Sequence, residues 1–362
     1  MKINCALLCV FLILGNLSCS SEPTKDILNL ETQQMYFPPK DEKYWETISI
    51  KELQWNTDKE QSLYDFLENK NTKAFLILKN GKIVIEKYFG NFSKTTNHTW
   101  NSASKTLTAF TAGIAAKEEH LILENTSSNY LQEAWSSLTL EQETLITVKN
   151  HLTMTTGLEY KITNTFCTDQ ECLTYKTIPG SSWYYHNAPY TLLKPIITNA
   201  TGENFNDYFN SKLRDKIGMQ GSWITIGYNH IYFSNARSMA RFGLLSLNKG
   251  AWKGINIIDQ SFFNEMTSNT QTHNEAYGYL WWLNGKDSYR IPSSENLFTG
   301  KIIPSAPNDL IAGLGKNDQK IYVIPSKGLV IVRFGDNAGE ELLGLSSFDE
   351  MLWQKINALI TE

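Results

Sequence analysis

The spacing of apolar and polar positions changes several times along this chain of 362 residues. After a polar stretch, Leu63, Phe66 and Leu67 recur at helical intervals behind Thr57 and Glu60. Those two have capping-box spacing, which predicts a first helix over 57–68. Ala74 to Leu78 and Ile83 to Phe89 are β-rich runs about Asn80-Gly81, one of the strongest short-range signals of a hairpin. A helical pattern runs from Ser102 to Glu118. The long middle, to about Ile226, alternates polar loops with apolar helical stretches, Tyr190 to Ala200 and Phe205 to Leu213. Ser238 to Leu247 predicts another helix. Lys320 to Phe334 gives two strand-like runs broken at Pro325-Ser326-Lys327-Gly328, and a last helix is expected over 342–359. Strands therefore sit at both ends of the body and helices between them. That order predicts an α+β fold: one antiparallel sheet built from both termini, flanked by terminal helices, with a mostly helical insertion at about 119–270.

The first residues have a different character. Lys2 precedes nine apolar residues, Ala6 to Leu14, too few to span a bilayer but suited to a signal-peptide core. Cys19 comes straight after the small Ser18, as in a bacterial lipobox, although Asn16 stands where Leu is usual. The expectation is a signal peptide over 1–19, lipidation of Cys19, a polar tether over 20–34 and a folded body over 35–362. Such a protein is exported to the periplasm or cell envelope of a bacterium and touches the membrane only through its lipid. An ordinary cleaved signal is the alternative. Of the five Cys, only Cys167 and Cys172 remain in the body, and in an oxidising compartment so close a pair reads as a disulfide.

Composition excludes more than it assigns. With 41% hydrophobic and 19% charged residues and a net charge of −4, the body is that of an ordinary globular protein without a basic face for nucleic acid. The six His show no metal spacing, and neither a Gly-x-Ser-x-Gly elbow nor a phosphate loop is present. No metal and no cofactor are expected.

Ser102-Ala103-Ser104-Lys105 places a hydroxyl and an amine three positions apart on one helix face. A serine is a nucleophile only if a neighbour takes its proton, and lysine does so only if its pKa falls. A second Ser-x-x-Lys, Ser246 to Lys249, ends a helix rather than opening one, where a lysine is ordinary dipole matching. Tyr185-His186-Asn187 lies in a loop after Pro179-Gly180, where reactive side chains are commonly displayed, whereas Tyr208 belongs to a packing pattern with Phe205 and Phe209. Two cations near Tyr185 would lower its phenol pKa. Gly315-Lys316-Asn317-Asp318 precedes a strand, so Lys316 is either such a cation or an exposed edge-strand lysine.

In order and context these elements resemble the serine β-lactamase and penicillin-binding-protein superfamily, with its Ser-x-x-Lys, Tyr-x-Asn and Lys-Thr-Gly motifs. HLTMTTGLEY, PGSSWYYHNAPYTLL, SMARFGLLSLNKGAW, YGYLWW and GLGKNDQKIYVIPSKGLVIVRFGD resemble further segments of the family. The likeness runs from about Tyr36 to the C-terminus and is closest to the class C-like esterases and aminohexanoate-oligomer hydrolases. It implies a hydrolase that cleaves an amide or ester of a small or peptide-like molecule through an acyl-enzyme. Ser102 would be the nucleophile, Lys105 its partner and Tyr185 the general acid/base. Asn187 would orient Lys105 and substrate, Lys316 and Asn317 would occupy the Lys-Thr-Gly positions, and an amide near Gln319 would join that of Ser102 in an oxyanion hole. Asn317-Asp318 in place of Thr-Gly is a departure, and Asp318 is expected to offset the charge of Lys316. The rival expectation is a non-catalytic envelope protein that binds cell-wall peptides or senses β-lactams.

Overall fold

Two distant pieces of chain make the central sheet. In the computed structural model, which describes residues 35–41, 44–339 and 345–360, strands β1 (Thr72–Lys79), β2 (Lys82–Tyr88), β3 (Trp282–Leu283), β4 (Ile311–Gly315), β5 (Gln319–Ile324) and β6 (Leu329–Gly335) lie in the order β2-β1-β6-β5-β4-β3. All neighbours are antiparallel, and β1 pairs with β6 in a register that sets Ile77 against Ile331. The signal segment, Cys19, the tether and the expected start of the last helix at Leu342 lie outside the described residues. Among those residues no helix is long and apolar enough to cross a membrane.

The helices that bear on the site are α1 (Glu60–Asn69), α2 (Lys105–Lys117), α3 (Val148–Thr153), α4 (Asn187–Thr201), α5 (Ala236–Leu247) and α6 (Ser347–Leu359). Consecutive residues of β5 report how they cover the sheet, because successive side chains point to opposite faces. A Cβ on Gly243 of α5 would lie 3.2 Å from Ile321 and 2.3 Å from Val330, whereas Trp353 of α6 packs on Tyr322 with ring centroids 5.8 Å apart. Helices therefore cover both faces, which is why β5 and β6 are buried at every residue. The Asn80-Gly81 turn has positive φ at both positions (47° and 87°), as a tight hairpin requires. Its edge is covered by the N-terminal stretch: Thr47 bridges Ile83, and Trp45 Nε1 donates to Gly81 O at 2.7 Å.

The middle of the chain is less helical than its pattern suggests. Ser222–Ile226 and Asn229–Ser234 form a hairpin that pairs with His98–Thr99, and Phe205–Phe209 is a short helix continued by a wide turn over Asn210–Arg214. The hairpin serves as an anchor. Trp100, fully buried, donates its backbone N–H to Tyr232 O at 2.9 Å and its indole N–H to Ser234 Oγ at 2.8 Å. These two bonds pin the segment just before Ser102.

Strand β4 holds the same segment from the other side. A Cβ on Gly315 would stand 2.3 Å from Trp100 O and 3.1 Å from Ala103 N, so only glycine lets the strand approach the turn that carries Ser102. Gly315→Ala is therefore expected to lower stability by about 1–3 kcal/mol, the usual scale of overpacking. Urea unfolding with a midpoint equal to that of the unaltered protein would refute this contact.

Candidate active site

Ser102 lies on a 3-10 turn, Asn101–Ser104, that runs directly into α2. Asn101 adopts a left-handed φ of 47°, which asparagine tolerates because its short amide can bond locally. Its Oδ1 accepts from Thr99 Oγ1 at 3.0 Å and its Nδ2 donates to Lys316 O at 2.8 Å. Every residue of α2 from Lys105 to Ala115 is buried, so the helix is a core element and Lys105 enters an apolar interior at its first turn.

Lys105 Nζ donates to Ser102 Oγ at 3.2 Å, its hydrogen-bond partner among the described residues. It faces two rings, with centroids of Tyr190 at 4.4 Å and Tyr185 at 5.1 Å. Among the described residues no carboxylate pairs with it. Burial lowers the Lys105 pKa from 10.5 to about 7, equivalent to roughly 5 kcal/mol. The ring faces favour the ammonium by only about 0.5–2 kcal/mol, so desolvation wins. Burial has the opposite effect on Tyr185, whose phenol is pushed well above its ordinary value against a smaller opposing pull from the Ser102 hydroxyl. The cationic neighbourhood expected to lower it does not do so. Tyr185 is thus protonated where Lys105 is near its midpoint, and Ser102 Oγ, bonded to the amine, shares a cavity with the phenol.

Ser102, Tyr185, Asn187 and Lys316 all line one cavity of about 330 Å³. Its other walls are largely apolar: Phe166, Tyr184, Trp282, Leu314 and Leu345, with Tyr185 stacked on Trp282 at 6.1 Å. Asn187 opens α4, and its side chain is not bonded to the Lys105 amine. Lys316 is exposed at the rim. Cys167 and Cys172 are joined by a disulfide with Cα atoms 5.9 Å apart. The loop it closes begins beside Thr165 and Phe166 on the cavity wall, and Thr165 O accepts from Ala188 N at 3.0 Å, so the stapled wall is tied to the start of α4.

The turn after Lys316 differs from expectation. Asp318 is buried and pairs with Lys320 at 3.1 Å, so it does not offset Lys316. The reason is the left-handed backbone at Asn317 and Asp318 (φ 59° and 57°), which turns the carboxylate inward. The Gln319 side chain is also buried, donating to Gly335 O at 2.7 Å and Asn317 O at 2.8 Å; neither Asn317 nor Gln319 lines the cavity. His186, between Tyr185 and Asn187, is buried with neither ring nitrogen bonded among the described residues, and burial lowers its pKa to about 4.

Two contributors were not singled out from sequence. Tyr190 lies one helical turn beyond Asn187 and so shares its face, which is how its ring meets Lys105. His151 anchors α3 to α4: Nδ1 must donate to Pro189 O at 2.8 Å, which leaves Nε2 to accept from Ser127 Oγ at 2.9 Å. The decoys are structural. Ser246 Oγ bonds back to Phe242 O at 2.9 Å, and Tyr208 donates to Glu118 at 2.8 Å. Among the described residues no group of three His, Cys, Asp or Glu is placed to hold a metal ion.

A model of the beta-lactamase family matches residues 69–339. Comparison with curated proteins returns no match. Among solved structures, a candidate 6-aminohexanoate-dimer hydrolase from Bacillus anthracis is 20% identical, with TM-score 0.63 and coverage of 86% of each chain. A penicillin-binding protein from Bacillus halodurans is 15% identical, with TM-score 0.61, over 81% of this chain and 99% of its own. The hydrolase EstCE1, which has promiscuous acyltransferase activity, is 14% identical, with TM-score 0.60, over 86% and 99%. These structures share the fold.

The buried amine also predicts a stability effect. Below pH 7 Lys105 is charged both folded and unfolded, and the full burial penalty is present. Between about 7 and 10.5 the unfolded chain binds the extra proton, so stability rises with pH across that window. Lys105→Met, similar in shape and uncharged, is expected to gain about 1–2 kcal/mol at pH 6, a gain that shrinks toward pH 10. Chemical unfolding at both pH values reads it directly, and a Met variant less stable than the parent at pH 6 would contradict the desolvation account.

Proposed function

The chain belongs to the beta-lactamase family, a family of serine hydrolases, and on that premise we propose that it cleaves an amide or ester through an acyl-enzyme at Ser102. The observation that carries this is the placement of Ser102 Oγ: it is bonded to an amine with a pKa near 7 and shares its cavity with a protonated phenol. Ser102 Oγ attacks the acyl carbon while its proton passes to neutral Lys105. The carbonyl electron pair moves to oxygen, which the Ser102 amide stabilises. As the bond to the leaving group breaks, Tyr185 gives that group its proton and is reprotonated by the Lys105 ammonium. Water attacks the acyl-enzyme with the same pair as base, and Ser102 leaves with a proton. The cycle uses no cofactor.

The cavity supports a small substrate with an apolar part against Phe166, Tyr184 and Trp282, and Lys316 suits an anionic or polar end. That the Bacillus anthracis protein bears the name of an amide hydrolase agrees with the amide side of this reading. The leader pattern and the Cys167–Cys172 disulfide support an exported, lipid-anchored protein.

A fluorophosphonate probe followed by mass spectrometry tests the proposal. It should modify Ser102 stoichiometrically, and Ser102→Ala should not react. Tyr185→Phe should lose about 10²–10⁴-fold in turnover, the range of general acid–base work, with amides hit harder than activated esters. A protein that neither labels nor hydrolyses any ester is a binding protein on this fold, and the enzymatic reading fails.

A further inference from the structure

Beneath the β4–β5 turn lie Asp318, Lys320, Tyr322, Arg333 and Asp349, all essentially without exposure. Lys320 Nζ bridges Asp318 at 3.1 Å and Asp349 at 2.8 Å, and Tyr322 donates to Asp349. Such clusters are weak devices for stability, because apolar residues of similar volume commonly do as well or better. Their better-attested use is to fix one arrangement among several, and what this cluster fixes is the turn at the mouth of the cavity.

Asp318 is the link. Its carboxylate accepts from Ser346 Oγ at 2.6 Å and from Ala338 N at 3.0 Å, besides pairing with Lys320. Arg333 Nη1 donates to the carbonyls of Asp318 and Asn317 at 2.8 and 3.2 Å. Two consecutive non-glycine residues in the left-handed region are strained unless their surroundings hold them. Glycine would adopt that backbone freely but would have no carboxylate to anchor it. The turn has two outputs. Lys316 lines the cavity, and its carbonyl receives the Asn101 amide next to Ser102. Ser346, the partner of Asp318, adjoins Leu345, which also lines the cavity.

We propose that Asp318 is a positioning residue that sets substrate selectivity, its buried carboxylate holding two parts of the cavity lining, the Lys316 turn and Leu345, in register. This rests on the hydrolase reading above. The test is selectivity between matched esters, phenyl acetate and 3-carboxyphenyl acetate, in the full chain and in Asp318→Gly and Asp318→Asn. Both variants are expected to label at Ser102. The ratio of kcat/KM for the anionic over the neutral ester should change by about fivefold or more in the Gly variant, the scale of one exposed ion pair. It should change less in the Asn variant, which keeps part of the hydrogen bonding. An Asp318→Gly protein that melts lower yet keeps the wild-type ratio overturns the role, whatever its overall rate. If the Gly variant does not fold, an unchanged ratio in the Asn variant overturns it equally. Absence of wild-type labelling and turnover overturns instead the hydrolase reading and, with it, this role.

Discussion

The site depends on one unfavourable placement, a lysine amine carried into the core by the first turn of a helix that is buried along almost its whole length. Among the described residues no carboxylate compensates the charge, so burial does the chemistry: an amine ordinarily protonated at neutral pH becomes one that can accept a proton. The same apolar surroundings raise the neighbouring phenol of Tyr185. One environment thus pushes an amine and a phenol in opposite directions, which under the proposed mechanism suits one to accept a proton and the other to carry it. Stability given up at Lys105 is the counterpart of that reactivity, a trade recurrent at functional sites.

The rest of the fold keeps that placement intact. Trp100 is hung on the hairpin over 222–234, Gly315 lets β4 close against the turn, and Asn101 ties the turn to Lys316. Because β4 and β5 belong to the sheet that β1 closes from the other end of the chain, the geometry at Ser102 depends on both termini having folded. The stapled loop at Cys167–Cys172 follows Thr165 and Phe166 of the cavity lining, and His151 ties α3 to α4, which Asn187 opens.

Much of the fold and the core of the site were legible in the sequence because their signals are local. Asn80-Gly81 marks its hairpin, and the alternating runs mark the sheet. Ser102 with Lys105 is separable from the decoy at Ser246 by which end of a helix each pair occupies. The hairpin over 222–234 was missed although Trp223, Ile224, Ile226, Ile231 and Tyr232 flank Gly227 in a strand-like pattern; a middle read as helical obscured it. The inward turn of Asp318 was not legible, since it depends on Lys320, Ser346 and Ala338 meeting beneath a left-handed backbone. Nor was the direction of the Tyr185 shift. That direction reflects how much charge and how much apolar surface surround the phenol, and spacing along a chain does not report it.

Desolvation is what would make Lys105 a neutral base at physiological pH. Nuclear magnetic resonance of ¹³Cε-labelled lysine, assigned through Lys105→Met, tracks its titration site by site. Desolvation predicts a midpoint near 7 for Lys105, independent of whether Tyr185 is present or replaced by Phe. A midpoint above about 9, close to the ordinary lysine value, would contradict it and return the role of base to Tyr185.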